Sequence, residues 1–263
     1  MKPNLTAARQ SRHLVTIVVP CYNEARRLNR VQFEEFLGQS TIANFVFVDD
    51  GSKDATFELL KGMEAGREQR VTVLRSPRNQ GKAEAVRLGV NHVLEGGAAY
   101  VGYWDADLAT PLSAIEQFLT VMEGDQGLDM IFGSRVKLLG RTIERRKSRH
   151  YLGRIFATVV SAVLRVPIYD TQCGAKIFRV RSYTKTLFRD RFLSRWVFDV
   201  EIIARYIRET GSPGEAAKKI YEFPLYSWLD IGGSKVRPFD FVIALIDVIR
   251  IHLVYSRHSG TSG

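Results

Sequence analysis

Cysteine is almost missing from this chain: Cys21 and Cys173 are the only two in 263 residues. They stand far apart, without metal-ligand spacing. That argues against a disulfide scaffold or a structural zinc site and makes a reducing compartment the default. Long apolar runs are missing too. No stretch of about eighteen uncharged apolar residues occurs, so no segment is expected to span a bilayer. The opening MKPNLTAARQSRHL is polar and basic, with no secretory signal behind it. Internal repeats and low-complexity linkers are absent, and His13, His92, His150, His252 and His258 are scattered without ligand spacing. Acid is in deficit: 38 Lys and Arg against 28 Asp and Glu give a formal charge of +10, which suits nucleic acid, an acidic membrane face or a phosphorylated substrate. With 45% hydrophobic residues the composition is ordinary and globular, which excludes disorder, collagen and coiled coil.

What is present is alternation. Val15–Pro20, Asn44–Asp49, Val71–Arg75, Ala99–Trp104 and Leu128–Gly133 read as short buried strands. Helical patterns near Glu24–Leu37, Asp54–Glu64, Lys82–Leu94 and Pro111–Met122 separate them. This predicts an α/β fold with a parallel sheet covered on both faces, in which ligands bind beyond the carboxyl ends of the strands. Arg135–Arg154 is strongly basic, with Glu144 as its one acid. An apolar, helical Ile155–Val166, a polar-glycine knot at Asp170–Lys176, a helix near Trp196–Glu209 and a strand near Lys219–Phe223 follow. Pro238–Tyr255 reads as a helix apolar almost all round, its narrow polar stripe made by Asp240, Asp247 and Arg250. The expected organisation is a flexible 1–14, a main domain over 15–237, the apolar amphipathic helix over 238–256 and a disordered tail over 257–263.

Chemistry gathers at the predicted strand ends. Pro20-Cys21-Tyr22-Asn23-Glu24 follows the first strand, where Asn23 or Glu24 could cap a helix or the turn could hold a nucleotide base or ribose. Asp49-Asp50 follows the second; a helix cap explains Ser52 or Asp54 but not two adjacent acids, and Asp50 is the candidate to accept from a ribose or base. Asn79-Gln80-Gly81-Lys82 opens a helix without Walker A spacing, a weak anion signal. Asp105-Ala106-Asp107 follows the fourth strand. Two carboxylates at i and i+2 on an extended segment share a side and can address one divalent ion that keeps positions open for phosphate oxygens; the ordinary alternative is a solvated acidic turn. The basic run beside an apolar helix suits a phosphate head on a lipid tail better than nucleic acid, since only Tyr151 and Phe156 stand near it for stacking.

Together these strings resemble the family-2 glycosyltransferases of GT-A fold: VVPCYNEA, VDDGSKDAT, NQGKAEAV and DADLATP in order, then Gly133–Arg135 and Lys147–Arg149. DTQCGAKIF, RWVFDVEI and WLDIGGSKV are the most specific. They resemble the polyprenyl-phosphate (dolichyl-phosphate) sugar synthases, and the glucose-transferring branch more than the mannose-transferring one. The likeness runs from Val15 to about Tyr255. It implies that Pro20, Tyr22, Glu24 and Asp50 line a uridine or guanosine pocket with Lys82 nearby. Asp105, Ala106 and Asp107 would meet the nucleotide sugar, with Asp107 and Asp105 holding Mg²⁺ or Mn²⁺ on the diphosphate. Arg135, Arg145 and Ser148 would receive the acceptor phosphate, and Asp170, Gln172, Asp199 and Glu201 would shape the sugar pocket. Mannose-transferring relatives carry glutamine where this chain has Ala109, which leaves one metal position to water. The family's transmembrane helices and N-terminal anchor have no counterpart, so peripheral association with the cytoplasmic face of a membrane is expected.

The implied activity is inverting transfer of a hexose, best read as glucose from UDP-glucose, onto polyprenyl or dolichyl phosphate. Asp105, Asp107 and Arg135 are the expected catalytic groups. A phosphate acceptor needs no general base; a hydroxyl acceptor would need one, with Asp170 or Asp199 nominated. The rivals are a family-2 enzyme acting on a sugar or protein hydroxyl, and a basic membrane- or nucleic-acid-binding module without activity. Two acidic motifs in register argue against nucleic acid. A sugar nucleotidyltransferase would need a glycine-rich triphosphate loop after the first strand, and none is present. The apolar final helix lies either against a bilayer or partner, or back on the sheet.

Overall fold

A computed structural model describes residues 15–144, 147–231 and 238–256, with only the backbone described at 147–150 and 238–240. The expectations for 1–14 and 257–263, the Arg145 assignment and the side chain of Ser148 fall outside the described residues. In chain order the elements are β1 (Val15–Cys21), α1 (Arg30–Gln39), β2 (Ala43–Asp49), α2 (Thr56–Glu64), β3 (Val71–Arg75), α3 (Lys82–Glu95), β4 (Tyr100–Trp104), α4 (Ala114–Gly124) and β5 (Met130–Ser134). There follow β6 (Thr142–Glu144), α5 (Lys147–Leu164), β7 (Ala175–Arg179), α6 (Ser182–Arg189), α7 (Phe198–Thr210), α8 (Pro213–Lys218), β8 (Ile220–Pro224), β9 (Ser227–Leu229) and α9 (Pro238–Ser256).

Seven strands form one sheet in the order β3-β2-β1-β4-β7-β5-β8, and β6 pairs with β9 apart from it. Alternation along the strands makes two cores. Val15, Ile17, Val19, Phe45 and Phe47 face α1, α2 and α4, whereas Val18, Val46 and Val48 face α3 and its neighbours. Phe33 of α1 sits edge-on to Phe45 and Phe47, with ring centroids 5.3 and 5.1 Å away. Such pairs add about 0.5–1.5 kcal/mol each to the area they bury. From β1 the chain moves outward through β2 and β3, then returns to place β4 on β1's other side. That reversal opens a crevice at the carboxyl ends of β1 and β4.

The sheet is not wholly parallel. β7 runs antiparallel between β4 and β5, with Gly102 opposite Ile177 and Ile131 opposite the same residue. Lys176, fully buried in its middle, breaks the apolar run that would have announced a strand. The helix expected from Glu24 starts at Arg30 instead. Asn29 caps it, its side chain accepting from the Gln32 amide at 3.2 Å, while Glu24 is held elsewhere by Thr56 and Arg27. α5 reaches back to Lys147, into the basic run, and α6, β6 and β9 were not expected from the sequence. α9 packs one face, through Ala244, Val248 and Ile251, on α5 and α7 and leaves Val242, Ile243, Ile246, Ile249 and Leu253 exposed. No described helix is long and apolar enough to cross a membrane.

Candidate active site

The crevice floor is set by the acids after β2. Asp50 is buried and its two carboxylate oxygens accept from the Gln80 and Gly81 amides at 2.9 and 2.7 Å, which pins the loop opening α3. Burial pushes this carboxyl up, against the pull of those two amides. Asp49 turns the other way, accepting from the Ser52 amide at 3.1 Å with Arg75 Nε 3.2 Å from its second oxygen. Arg195 closes the same loop from the α7 side, donating to Gln80 O at 3.0 Å and Asn79 Oδ1 at 2.7 Å.

Asp105 and Asp107 reach one cavity, but from a turn rather than the extended segment expected. The Leu108 amide donates to Asp105 O at 3.2 Å and Leu108 takes a φ of +54°. Lys82 Nζ pairs with Asp105 at 2.5 Å. Its burial would depress its pKa, yet Asp105 and Asp199 outweigh that and raise it. The Ala109 amide holds Asp107 Oδ1 at 3.1 Å. Burial first, and Asp105 second, push the Asp107 carboxyl above its ordinary range. Two neighbouring carboxylates, only partly offset by Lys82 and Arg27, fit a hard divalent ion that takes one or two protein ligands and completes its shell with phosphate oxygens and water. Among the described residues no group of three or more His, Cys, Asp and Glu side chains gathers as a metal cage. Gly174 makes room for them: its carbonyl accepts from the Asp105 amide at 2.9 Å, and any Cβ there would occupy the Asp105 carboxylate's place.

The far wall is built on β5, β7 and β9. Arg135 pairs bidentately with Asp170, Nε to Oδ2 at 2.6 Å and Nη2 to Oδ1 at 2.7 Å, and its guanidinium lies 5.2 Å from the Trp228 ring centroid. Burial works against the Arg135 charge, but Asp170 more than compensates and raises its pKa. Glu222 fixes the turn before Asp170 by accepting from the Tyr169 and Asp170 amides at 2.7 and 2.8 Å. Lys176 reaches forward from β7 to the Thr171 and Cys173 carbonyls at 3.0 and 2.6 Å and to Asp199 Oδ1 at 2.6 Å, where Tyr103 also donates. The loop carrying Gln172 is thereby tied to α7. Gln172 Nε2 is buried at the cavity wall and, among the described residues, has no hydrogen-bond partner.

Pro20, Tyr22, Glu24, Asp50, Lys82, Asp105, Ala106, Asp107, Arg135, Asp170, Gln172 and Asp199 thus line one cavity of about 700 Å³. Its opposite end is apolar, made by Leu152, Phe156 and Ala157 of α5, Phe241 and Ala244 of α9, and Trp196. Glu201 is the exception. Two residues after Asp199 on α7, it lies about 200° round the helix and faces away. Fully buried, it accepts from the Leu193 amide at 2.7 Å and pairs with Arg205 at 2.8 Å. The sequence reading missed Arg27, Lys176, Trp196 and Glu222. Arg27 lines the cavity and forks onto Glu24 at 2.8 and 2.6 Å; the pairing with Glu24, ahead of its burial, raises its pKa. Its i,i+3 spacing from Glu24 was the available signal.

A base-side pocket at β1 and β2, paired carboxylates at β4 and a cationic wall beyond them define the class of nucleotide-sugar transferases built on the GT-A sheet. The chain belongs to glycosyl transferase family 2, whose model matches residues 16–187. It is similar to the dolichyl-phosphate beta-glucosyltransferase of Dictyostelium discoideum, 29% identical over 92% of this chain and 74% of that one. The Drosophila melanogaster protein of the same name is 32% identical over 86% and 70%. In solved structures the fold is shared with Mycobacterium tuberculosis glucosyl-3-phosphoglycerate synthase in complex with Mn²⁺, UDP-glucose and phosphoglyceric acid. There the TM-score is 0.67 at 16% identity, over 100% of this chain and 87% of that chain. A Pyrobaculum calidifontis mannosyltransferase with GDP-Man and Mn²⁺ superposes at 0.59, with 15% identity over 97% and 67%.

Proposed function

We propose that this glycosyltransferase moves glucose from UDP-glucose to a polyprenyl phosphate of the dolichyl type, with inversion at the anomeric carbon. The observation that carries the reading is the two-ended cavity. Carboxylates and cations stand at one end and an apolar wall from α5 and α9 at the other, which suits a phosphate head on an isoprenoid tail. The relatives' names point the same way.

In this reading Pro20, Tyr22 and Asp50 hold the nucleoside, with Glu24 and Arg27 beside them. Asp107 and Asp105 would hold Mg²⁺ or Mn²⁺, which supplies Lewis-acid stabilisation of the leaving diphosphate. Lys82, already charged beside Asp105, adds a second cation near the same oxygens. Gln172 offers its unpartnered amide to the hexose. The acceptor's second pKa is about 6, so its oxygen is a nucleophile at neutral pH without a base. Arg135 binds and aims that oxygen through Nη1 and the remaining Nη2 proton, while Nε and Nη2 grip Asp170 and hold the guanidinium in place. A hydroxyl acceptor is disfavoured because both nominated bases are engaged: Asp170 is clamped by Arg135, and Asp199 accepts from Lys176 and Tyr103. The exposed face of α9, beside the basic run, is the proposed contact with the cytoplasmic face of a membrane, where each nearby cation contributes about 1 kcal/mol on anionic lipid.

The test is transfer of radiolabel from UDP- and GDP-sugars to a polyprenyl phosphate in detergent with Mg²⁺ or Mn²⁺. Label should enter the lipid from UDP-glucose, disappear with EDTA and fail in Asp107→Ala. Label retained as free sugar with every lipid phosphate refutes the acceptor assignment, and a retained anomeric configuration by NMR coupling refutes inversion.

A further inference from the structure

Between β5 and β6 the chain makes a tight turn that carries two leucines into solvent. The Arg141 amide donates to Leu138 O at 3.2 Å, and Gly140 takes a φ of +76° that a side chain would resist. Leu139 is fully exposed and Leu138 half so. Turn tips are ordinarily polar, and leucines here give the fold nothing. Cations flank them: exposed Lys137 on one side and Arg141 on the other. The Arg141 guanidinium lies over the exposed Tyr226 ring at 3.3 Å. Its Nη1 is buried and, among the described residues, has no hydrogen-bond partner. A charged donor left without an acceptor is unfavourable, and an anion laid against the guanidinium would complete it.

The turn is firmly joined to the cavity mouth. The Thr142 amide donates to Tyr226 O at 2.9 Å, and β6 pairs with β9, where Ile143 stands opposite Trp228. Trp228, Asp230 and Ile231 in turn line the cavity.

We infer that the Leu138–Arg141 turn is a bilayer-insertion finger: the two leucines enter the acyl boundary while Arg141, flat on Tyr226, takes a lipid headgroup phosphate. A protein partner would need an interface far larger than two side chains provide, on the order of 1,200 Å² in total. A bilayer accepts single apolar side chains beside cations. The finger rests on the lipid-acceptor reading for its purpose, since it would set the cavity mouth at the membrane surface, but not for its measurement.

Leu139→Cys in the full chain can be labelled selectively with an NBD fluorophore, because Cys21 and Cys173 are both buried. With vesicles of three parts phosphatidylcholine to one part phosphatidylserine, the emission should shift to the blue and be quenched by doxyl lipid. In flotation, Leu138→Glu/Leu139→Glu should reduce the vesicle-bound fraction at least about tenfold. Arg141→Gln should weaken binding several-fold on anionic vesicles, and added inorganic phosphate should not substitute for them. A label that stays water-like while the protein floats overturns the finger and leaves α9 as the contact. Absence of flotation alongside transfer to detergent-dispersed polyprenyl phosphate overturns the finger and leaves the proposed activity standing. Flotation that depends on the leucines, with no lipid phosphate ever glucosylated, supports the finger and refutes the acceptor assignment.

Discussion

Replacing Gly174 with alanine should disable the site while leaving the fold intact. A Cβ at this position would stand 2.5 Å from Asp105 Oδ1 and closer still to its Cγ and Oδ2. Carbon–oxygen contacts settle near 3.5 Å, so the carboxylate must retreat by about 1 Å or more. No other group within 4 Å ranks ahead of the Asp105 side chain, and the backbone there is not left-handed. The strain therefore falls on the Asp105 carboxylate and its partner Lys82. Metal–ligand distances tolerate about 0.2 Å, and a misplacement of about 1 Å at reacting groups lowers rates about a hundredfold. That corresponds to about 2.7 kcal/mol of transition-state stabilisation. The assay is steady-state glucose transfer as a function of Mn²⁺, with thermal unfolding followed in parallel. The expected result is kcat/KM down about a hundredfold, a weakened Mn²⁺ dependence and a nearly unchanged Tm. Activity within about threefold of the parent at the same Mn²⁺ requirement would refute the assignment of Asp105 to the metal.

Lys176→Met should destabilise by about 3 kcal/mol, since it strips the buried Asp199 of its cation. At this chain length that lowers Tm by about 6–12 °C, and an unchanged urea midpoint would remove the loop-tether argument. Arg135→Lys should raise the KM for lipid phosphate at least about tenfold with little effect on donor hydrolysis, because an ammonium cannot reproduce the fork on Asp170. An unchanged acceptor KM contradicts it. The pH dependence follows from Asp107, whose carboxyl is raised by burial and then by Asp105. The folded chain holds this proton more tightly than the unfolded chain, so the group opposes folding as pH rises through the window between its ordinary and raised values. A divalent ion must displace the same proton. The Tm gain on adding Mn²⁺ should therefore be larger near pH 7 than near pH 5, and an equal gain at both would be evidence against the pair as ligands.

The crevice was readable because its acids stand in pairs at the ends of near-continuous apolar strands: Asp105 and Asp107 both reach it, and one of Asp49 and Asp50 had to turn inward. Asp50 does so and Asp49 does not. The wall was harder to read. β7 hides behind Lys176, whose ammonium is satisfied by two carbonyls of the loop just before it and by Asp199 of α7. Resemblance placed Asp199 and Glu201 together, but helical geometry separates them. Arg27 was obscured by expecting a helix from Glu24, although the six residues before the helix form the turn that holds both side chains against the cavity. For α9, lying on the sheet layer and facing outward were weighed as alternatives. One stripe packs on the helices α5 and α7 rather than on the strands, and the other is exposed.

The reversed direction of β7 carries a consequence for the order in which the molecule matures. In a parallel sheet every loop at the ligand edge follows its strand; here the Asp170–Gly174 loop precedes its strand and still arrives at that edge, because β7 runs the other way between β4 and β5. The first 107 residues can lay down β1 to β4 and both carboxylates. Gly174 meets Asp105, and Asp170 meets Arg135, only after some seventy further residues have been made and β7 has threaded between strands already in place. During synthesis both carboxylates are thus made before the loop that braces Asp105, and β8, which completes the sheet on β5, is made later still.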